Sequence, residues 1–189
     1  MIDLSNRLFT DINGKKFYAD EYISATKIQE RIKEVANEIN KDYEGKEVRL
    51  ICILRGAVMF LSDLMKNLTL DHVTIDFMSV SSYGDEKVSS GLVRITKDLD
   101  SPIEDKNVLI VEDILDTGHT LEHLMKMFES RNPQSVKICV LLDKKERREV
   151  PLNPDYVCFE IEDKFVLGYG LDYEQELRNL PFVATARFI

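Results

Sequence analysis

Positive charge is in short supply: 25 lysines and arginines face 34 acids, for a net charge of −9 at pH 7. Composition therefore gives no broad cationic face to track a nucleic-acid backbone or an anionic membrane. A small phosphorylated ligand stays open to such a chain, because backbone N–H groups, a few Lys or Arg and a bound metal hold phosphate without a positive total. Long apolar runs are also missing. No run approaches membrane-spanning length, and the N-terminus MIDLSNRLFT carries an acid at Asp3 and no apolar h-region, so a cytoplasmic protein is expected. Cysteine is sparse. Cys52, Cys139 and Cys158 stand far apart, form no C-x-x-C pair and lie in apolar runs, which reads as free core thiols. Repeats and low-complexity tracts are lacking, and with 44% of 189 residues hydrophobic the chain can fill one core, so a single domain over 1–189 is expected.

What is present begins with a helical stripe. Ile28, Ile32, Val35, Ala36 and Ile39 keep the i, i+4, i+7, i+8, i+11 spacing of one helix face, with Gly45 soon after. VRLICIL, Val48 to Leu54, is too short and too continuously apolar for an amphipathic helix and reads as a strand buried on both faces. AVMFLSDLMK follows Arg55-Gly56 as a second helix, Val73 to Val80 alternates in part as a strand, and Val93 to Ile95 begins a shorter one. Then come VLIV, a loop, a helix from Thr120 to Phe128, and the strands SVKICVLL (Ser135 to Leu142) and YVCFEI (Tyr156 to Ile161). This alternation predicts an α/β fold with a mostly parallel central sheet flanked by helices, whose ligands sit beyond the carboxyl ends of the strands. The polar, glycine-flanked stretch Ser81 to Gly91 is the expected mobile segment.

The chemistry concentrates in VLIVEDILDTGHTL, Val108 to Leu121. Glu112 and Asp113 follow a buried strand at its ligand end, where carboxylates suit sugar hydroxyls or a divalent metal. Asp116-Thr117-Gly118-His119-Thr120 then opens a helix, whose unpaired N–H groups and dipole attract an anion, with Gly118 allowing close approach and two threonine hydroxyls adding donors. Acids for ribose hydroxyls and amides for phosphate make a sugar-phosphate cradle. The plainer alternative is a strand-to-helix turn in which Asp116 and Thr120 only cap a helix.

This segment resembles the diphosphoribosyl-binding signature of the type I phosphoribosyltransferases, and the likeness is greatest to the hypoxanthine-guanine phosphoribosyltransferases. Leu54-Arg55-Gly56 resembles that family's pyrophosphate loop, Ser81-Ser82-Tyr83-Gly84 its lid, and KFVLGYGLDYEQELRNLP (Lys164 to Pro181) its purine-binding hood. The resemblance implies a small hood subdomain built near both chain ends. It also implies purine salvage: transfer of the 5-phosphoribosyl group from 5-phosphoribosyl 1-diphosphate to N9 of hypoxanthine or guanine, giving IMP or GMP and pyrophosphate, with Mg2+ as cofactor and a homodimer or homotetramer as the assembly.

By the family's pattern, Glu112 and Asp113 approach the ribose 3′- and 2′-hydroxyls, and Asp116 is the catalytic carboxylate near purine N7, placed to take the proton that leaves as N9 attacks. Thr117, Gly118, His119 and Thr120 hold the 5′-phosphate. Leu54, Arg55, Gly56 and Arg178 bind pyrophosphate, with a non-proline cis peptide implied at Leu54–Arg55. Lys144 donates to the 6-oxo group, Phe165 stacks on the purine and Val166 reads the ring edge. Asp172 lies near the pyrophosphate and a second magnesium, so Glu112, Asp113 and Asp172 are the implied metal set. Ser82 and Tyr83 belong to the lid. Some members carry lysine at the place of Arg55, alanine at that of Gly170 and varied residues at that of His119.

Other readings fit the same residues less well. His119-Thr120-Leu121-Glu122-His123 is an H-x-x-E-H string, but it nominates no third zinc ligand and its helix start already suits an anion. A nucleotide hydrolase would need a G-x-x-x-x-G-K-[ST] loop, and Gly168-Tyr169-Gly170 lacks the third glycine of a dinucleotide fingerprint. A regulator on the same fold, sensing the diphosphate and controlling nucleic acid, is the alternative of another class; it would need a basic face.

Overall fold

A computed structural model describes residues 8–11, 13–82 and 93–189. Its center is a six-stranded sheet. β3 (Val48–Leu54) lies between β4 (Val73–Ser82) and β6 (Asn107–Leu115); β7 (Ser135–Asp143) and β8 (Tyr156–Glu160) continue beyond β6, and β5 (Val93–Lys97) closes the opposite edge. All neighbours pair in parallel except β4 and β5. The mostly parallel sheet expected from the sequence is thus present, with one antiparallel edge.

Both faces of this sheet are covered, which is why its central strands read as unbroken apolar runs. Leu50 and Cys52 of β3 face one core with Leu109 and Val111 of β6, and there they meet α1 (Ala25–Asp42) and α2 (Val58–Lys66). Ile51 and Ile53 point the other way, with Val108 and Ile110, toward Leu121, Leu124 and Phe128 of α3 (His119–Glu129). Full burial of such a side chain contributes about 1.5–3 kcal/mol. The face predicted for α1 is the buried one, and the Ser24 side chain caps the helix by accepting from the Lys27 N–H at 3.3 Å. All three cysteines are free and buried, and burial pushes the Cys52 and Cys158 thiols up to about 12. They are core residues.

A second, antiparallel sheet joins the two ends of the chain in the order β1 (Leu8–Thr10), β2 (Lys16–Ile23), β10 (Val183–Phe188), β9 (Val166–Leu167). Phe17, Ala19, Leu167, Leu180, Phe182 and Ala184 form its own small core. Ile23, Val166, Tyr169, Leu171 and Val183 pack into the main core instead and fix this hood to the sheet. Its strands were not read from the sequence, although Phe17, Ala19 and Ile23 alternate inward along β2.

Candidate active site

Three loops meet at the carboxyl ends of β3 and β6. The first follows β3. Its Leu54–Arg55 peptide bond is cis, as the resemblance implies. Gly56 lies directly against Asp113: a Cβ on Gly56 would overlap the Asp113 carboxylate. Gly170 of the hood, at φ +98°, lies in turn on the Gly56 carbonyl oxygen, and a Cβ there would overlap it. The tolerance for alanine suggested at Gly170 therefore does not hold in this geometry, since the two loops would have to part. Arg178 completes the contact by donating from Nη1 to the Gly170 carbonyl at 2.8 Å.

The second loop follows β6. Pairing with β3 ends at Val111, while pairing with β7 runs on to Leu115. Glu112 and Asp113 thus stand where β6 separates from one neighbour but not the other, which corrects the expectation that the strand leaves the sheet there. Oε2 of Glu112 is buried without a hydrogen-bond partner among the described residues. Burial, with the Asp113 charge beside it, pushes the Glu112 carboxyl well above the ordinary range, and burial also raises Asp113.

A cleft of about 120 Å³ lies just beyond, lined by Glu112, Asp116, Thr117, Gly118 and Thr120 with Ile114, Leu115 and Leu121 behind them. Gly118 caps α3 at φ +92°, a left-handed conformation open to glycine, and no side chain caps the helix, so the plainer capping role for Asp116 and Thr120 is not realised. The first intrahelical bond runs from the Glu122 N–H to the Gly118 carbonyl at 2.9 Å. Amides before it have no acceptor within the helix and face a positive dipole end, as an anion site requires. His119 does not line the cleft: its ring Nε2 lies 2.8 Å from Glu149 Oε2. Only its backbone remains for the phosphate role implied by the resemblance.

A third segment, after β7, forms the far wall. Its backbone staples the turn through Lys144 N–H to Leu115 O at 2.9 Å and Glu149 N–H to Thr117 O at 3.0 Å. Arg148 donates to the Asp116 carbonyl at 3.2 Å and to the Leu152 carbonyl at 2.9 Å, and is ion-paired with buried Asp143. Lys144 is only 7% exposed, not the solvated surface charge that a lysine-rich run suggests; its Nζ donates to Asp163 Oδ1 at 3.2 Å. Arg147 pairs with Asp116 Oδ1 through Nε at 2.7 Å and with Asp163 Oδ2 through Nη1 at 3.1 Å. Arg147 and Lys144 together hold the Asp163 carboxyl below its ordinary value. Arg147, Arg148, Asp143 and Asp163 were all missed: the two arginines read as a solvated charge run in KKERRE, and the two aspartates, outside that run, carry no motif of their own.

Phe165 is 60% exposed, in edge contact with Tyr173 at 6.0 Å, so it is not a core residue and its ring has a face available for stacking. Val166 is buried in β9, opposite Thr185. Asp172 accepts from Arg178 at 2.8 Å and from the Gln175 N–H at 2.9 Å. Among the described residues no three His, Cys, Asp or Glu side chains gather as a metal cage. Asp172 stands apart from the Glu112–Asp113 pair and is held by Arg178 and Gln175. The adjacent pair with its unpartnered buried oxygen does fit a cation such as magnesium, which takes one or two carboxylates and completes its shell with water and substrate oxygens. Ser82 ends β4, while Tyr83 and the rest of the expected lid up to Gly91 lie outside the described residues.

Known proteins resemble this chain in sequence and fold. Residues 19–174 match the family described as phosphoribosyl transferase domain. The hypoxanthine-guanine phosphoribosyltransferase of Streptococcus thermophilus is 46% identical over 177 residues, 94% of each chain. A crystal structure of a hypoxanthine-guanine phosphoribosyltransferase from Bacillus anthracis superposes with a TM-score of 0.84 at 46% identity, over 88% of this chain and 97% of that one. A hypoxanthine phosphoribosyltransferase from Staphylococcus aureus gives a TM-score of 0.86 at 45% identity, over 89% and 91%.

Proposed function

Since the chain belongs to the phosphoribosyl transferase domain family, we infer that it is a purine-salvage enzyme transferring the 5-phosphoribosyl group of 5-phosphoribosyl 1-diphosphate to N9 of hypoxanthine or guanine. The observation that carries this reading is the meeting of Glu112 with the open amides before α3 around one cleft, with Asp113 beside it and set against Gly56. Relatives bearing the same name and near-full coverage favour the enzyme over a regulator on the same fold.

Transfer of this kind builds positive charge on the ribose as the diphosphate leaves. Glu112 and Asp113, whose burial excludes competing water, oppose that charge and accept from the ribose hydroxyls. Backbone amides and hydroxyls from Thr117 to Thr120 grip the 5′-phosphate. Asp116 takes the proton that leaves the purine as N9 attacks, a role for which it must exchange Arg147 for the base. Lys144, held by Asp163, donates to the 6-oxo group and disfavors the 6-amino group of adenine. Phe165 lies over the purine and Val166 reads its edge through backbone atoms. Arg55, Gly56 and Arg178 receive the pyrophosphate. Magnesium, carried on Glu112 and Asp113 with Asp172 nearby, would supply charge neutralisation for the diphosphate oxygens. The lid assigned to Ser81–Gly91, with Ser82 and Tyr83, would shield the reacting center from water.

Residues 1–189 are taken as one phosphoribosyltransferase domain, cytoplasmic, with neither nucleic acid nor membrane as a partner; no described helix is long and apolar enough to cross a membrane. Exposed Val58, Met59 and Met65 on α2 support a homo-oligomer, dimer or tetramer, because apolar side chains on one helix suit a second copy. Steady-state pyrophosphate release with hypoxanthine, guanine, xanthine and adenine, each with donor and magnesium, tests the function. Release with a 6-oxopurine and little with adenine is expected; no purine-dependent release would overturn the reading.

A further inference from the structure

Gln175 carries none of the roles assigned above, yet the two pyrophosphate arginines converge on it. Its side-chain Oε1 accepts from Arg55 Nη1 at 3.2 Å and from Arg178 Nη2 at 3.1 Å. The two cations come from distant parts of the chain, one from the loop after β3 and one from the hood. Guanidinium groups repel each other, and long side chains lose conformational freedom when held in one place. An amide oxygen has two lone pairs and no charge, so it can take one donor from each arginine and keep both available to an anion.

The backbone is shaped to aim this side chain. Glu174, Gln175 and Leu177 have φ of +50°, +70° and +64°, left-handed values that non-glycine residues keep only when their surroundings hold them. Here the hold is explicit. Tyr173 and Glu176 exchange both backbone hydrogen bonds, at 3.1 and 2.9 Å, and Asp172 receives the Gln175 N–H at 2.9 Å and Arg178 at 2.8 Å. The turn thus presents Gln175 to Arg55, 120 residues away in sequence.

Resting on the diphosphate reading of this site, the geometry points to Gln175 as a positioning residue that assembles Arg55 and Arg178 into one anion-binding pair before substrate arrives. Diphosphate oxygens then replace the amide oxygen, because charge-assisted bonds to guanidinium are stronger than bonds to a neutral carbonyl. Ordering the two arginines in advance removes part of the entropic cost of binding. A carboxylate in place of the amide would add a second acid to Asp172, which already pairs with Arg178, and would compete with the substrate for both arginines.

Two near-isosteric variants test this: Gln175→Met, which keeps the volume and removes the acceptor, and Gln175→Glu, which adds a charge. The constants to measure are KM for 5-phosphoribosyl 1-diphosphate, Ki for inorganic pyrophosphate, KM for hypoxanthine, and pyrophosphate affinity by calorimetry with magnesium. Gln175→Met should raise the donor KM and the pyrophosphate Ki about fivefold, as expected from losing the order of one or two rotamer-rich side chains. Gln175→Glu should raise both by about tenfold or more, while the hypoxanthine KM stays within about twofold for each. A loosened fold would move both KM values together, and that result would overturn the proposal, as would diphosphate constants unchanged or lowered in either variant. If the wild-type protein released no pyrophosphate with any purine, the enzyme reading would fail by itself; calorimetry with pyrophosphate would still decide the role of Gln175.

Discussion

Replacing Glu112 by glutamine should stabilise the ligand-free protein while damaging its activity, and the effect should depend on pH in a set direction. Oε2 of Glu112 is buried with no hydrogen-bond partner among the described residues, and Asp113 stands next to it. Burial first, and then the Asp113 charge, lift the Glu112 carboxyl well above the ordinary value of 4.5. Its folded-state pKa therefore exceeds the unfolded one, and between the two the native state binds more protons than the unfolded chain. Stability must fall as pH rises through that window, starting near 4.5. Below it both states are protonated and the penalty vanishes. A buried polar group left unsatisfied costs about 1–3 kcal/mol, and more when it is charged; the added cost of the charge is the part that depends on pH. Glutamine removes the charge, and its amide can donate to Asp113. Glu112→Gln should thus gain about 2 kcal/mol at pH 8, or about 4–8 °C in Tm for a chain of this size, and almost nothing at pH 4. Thermal unfolding in chelator, scanned from pH 4 to 8, measures the gap. A variant less stable than wild type at pH 8, or a gap independent of pH, would refute the reasoning. The same variant should lose at least about tenfold in kcat/KM, because a negative charge beside the ribose is missing in the transition state.

Asp116→Asn should lower kcat by about 10²–10⁴-fold with little change in donor KM, the range expected for losing a proton acceptor; near-normal turnover in steady-state assays would remove Asp116 from proton transfer. Lys144→Met should cut kcat/KM for hypoxanthine by about 10–100-fold and narrow the margin over adenine, read from parallel assays with both bases; an unchanged margin would detach Lys144 from the 6-oxo group. Tyr83→Ala should depress kcat far more than either KM, and equal effects on turnover and binding would count against the lid.

The parts of this molecule that could be read from its sequence are those in which local pattern and final environment agree. VRLICIL reads as a doubly buried strand because β3 is covered on both faces, and the stripe from Ile28 to Ile39 reads as a helix because a single core receives it. The turn from Asp116 to Thr120 could be picked out because its glycine cap and open amides lie in one contiguous segment. Side chains whose meaning depends on partners far along the chain were harder. Arg147 and Arg148 look solvated within KKERRE until Asp116, Asp143 and Asp163 are brought to them by the sheet. Gln175 has no signature at all, since its role depends on Arg55, 120 residues earlier. Strands of the hood escaped notice because β2, buried on one face only and interrupted at Glu21, gives a weaker pattern than a central strand.

The account depends on where the sugar sits. A crystal structure with 5-phosphoribosyl 1-diphosphate, magnesium and an unreactive purine analogue should place the ribose diol on Glu112 and Asp113 and the 5′-phosphate on the amides from Thr117 to Thr120. Electron density for the ribose outside that cleft, with those amides facing only solvent, would contradict it.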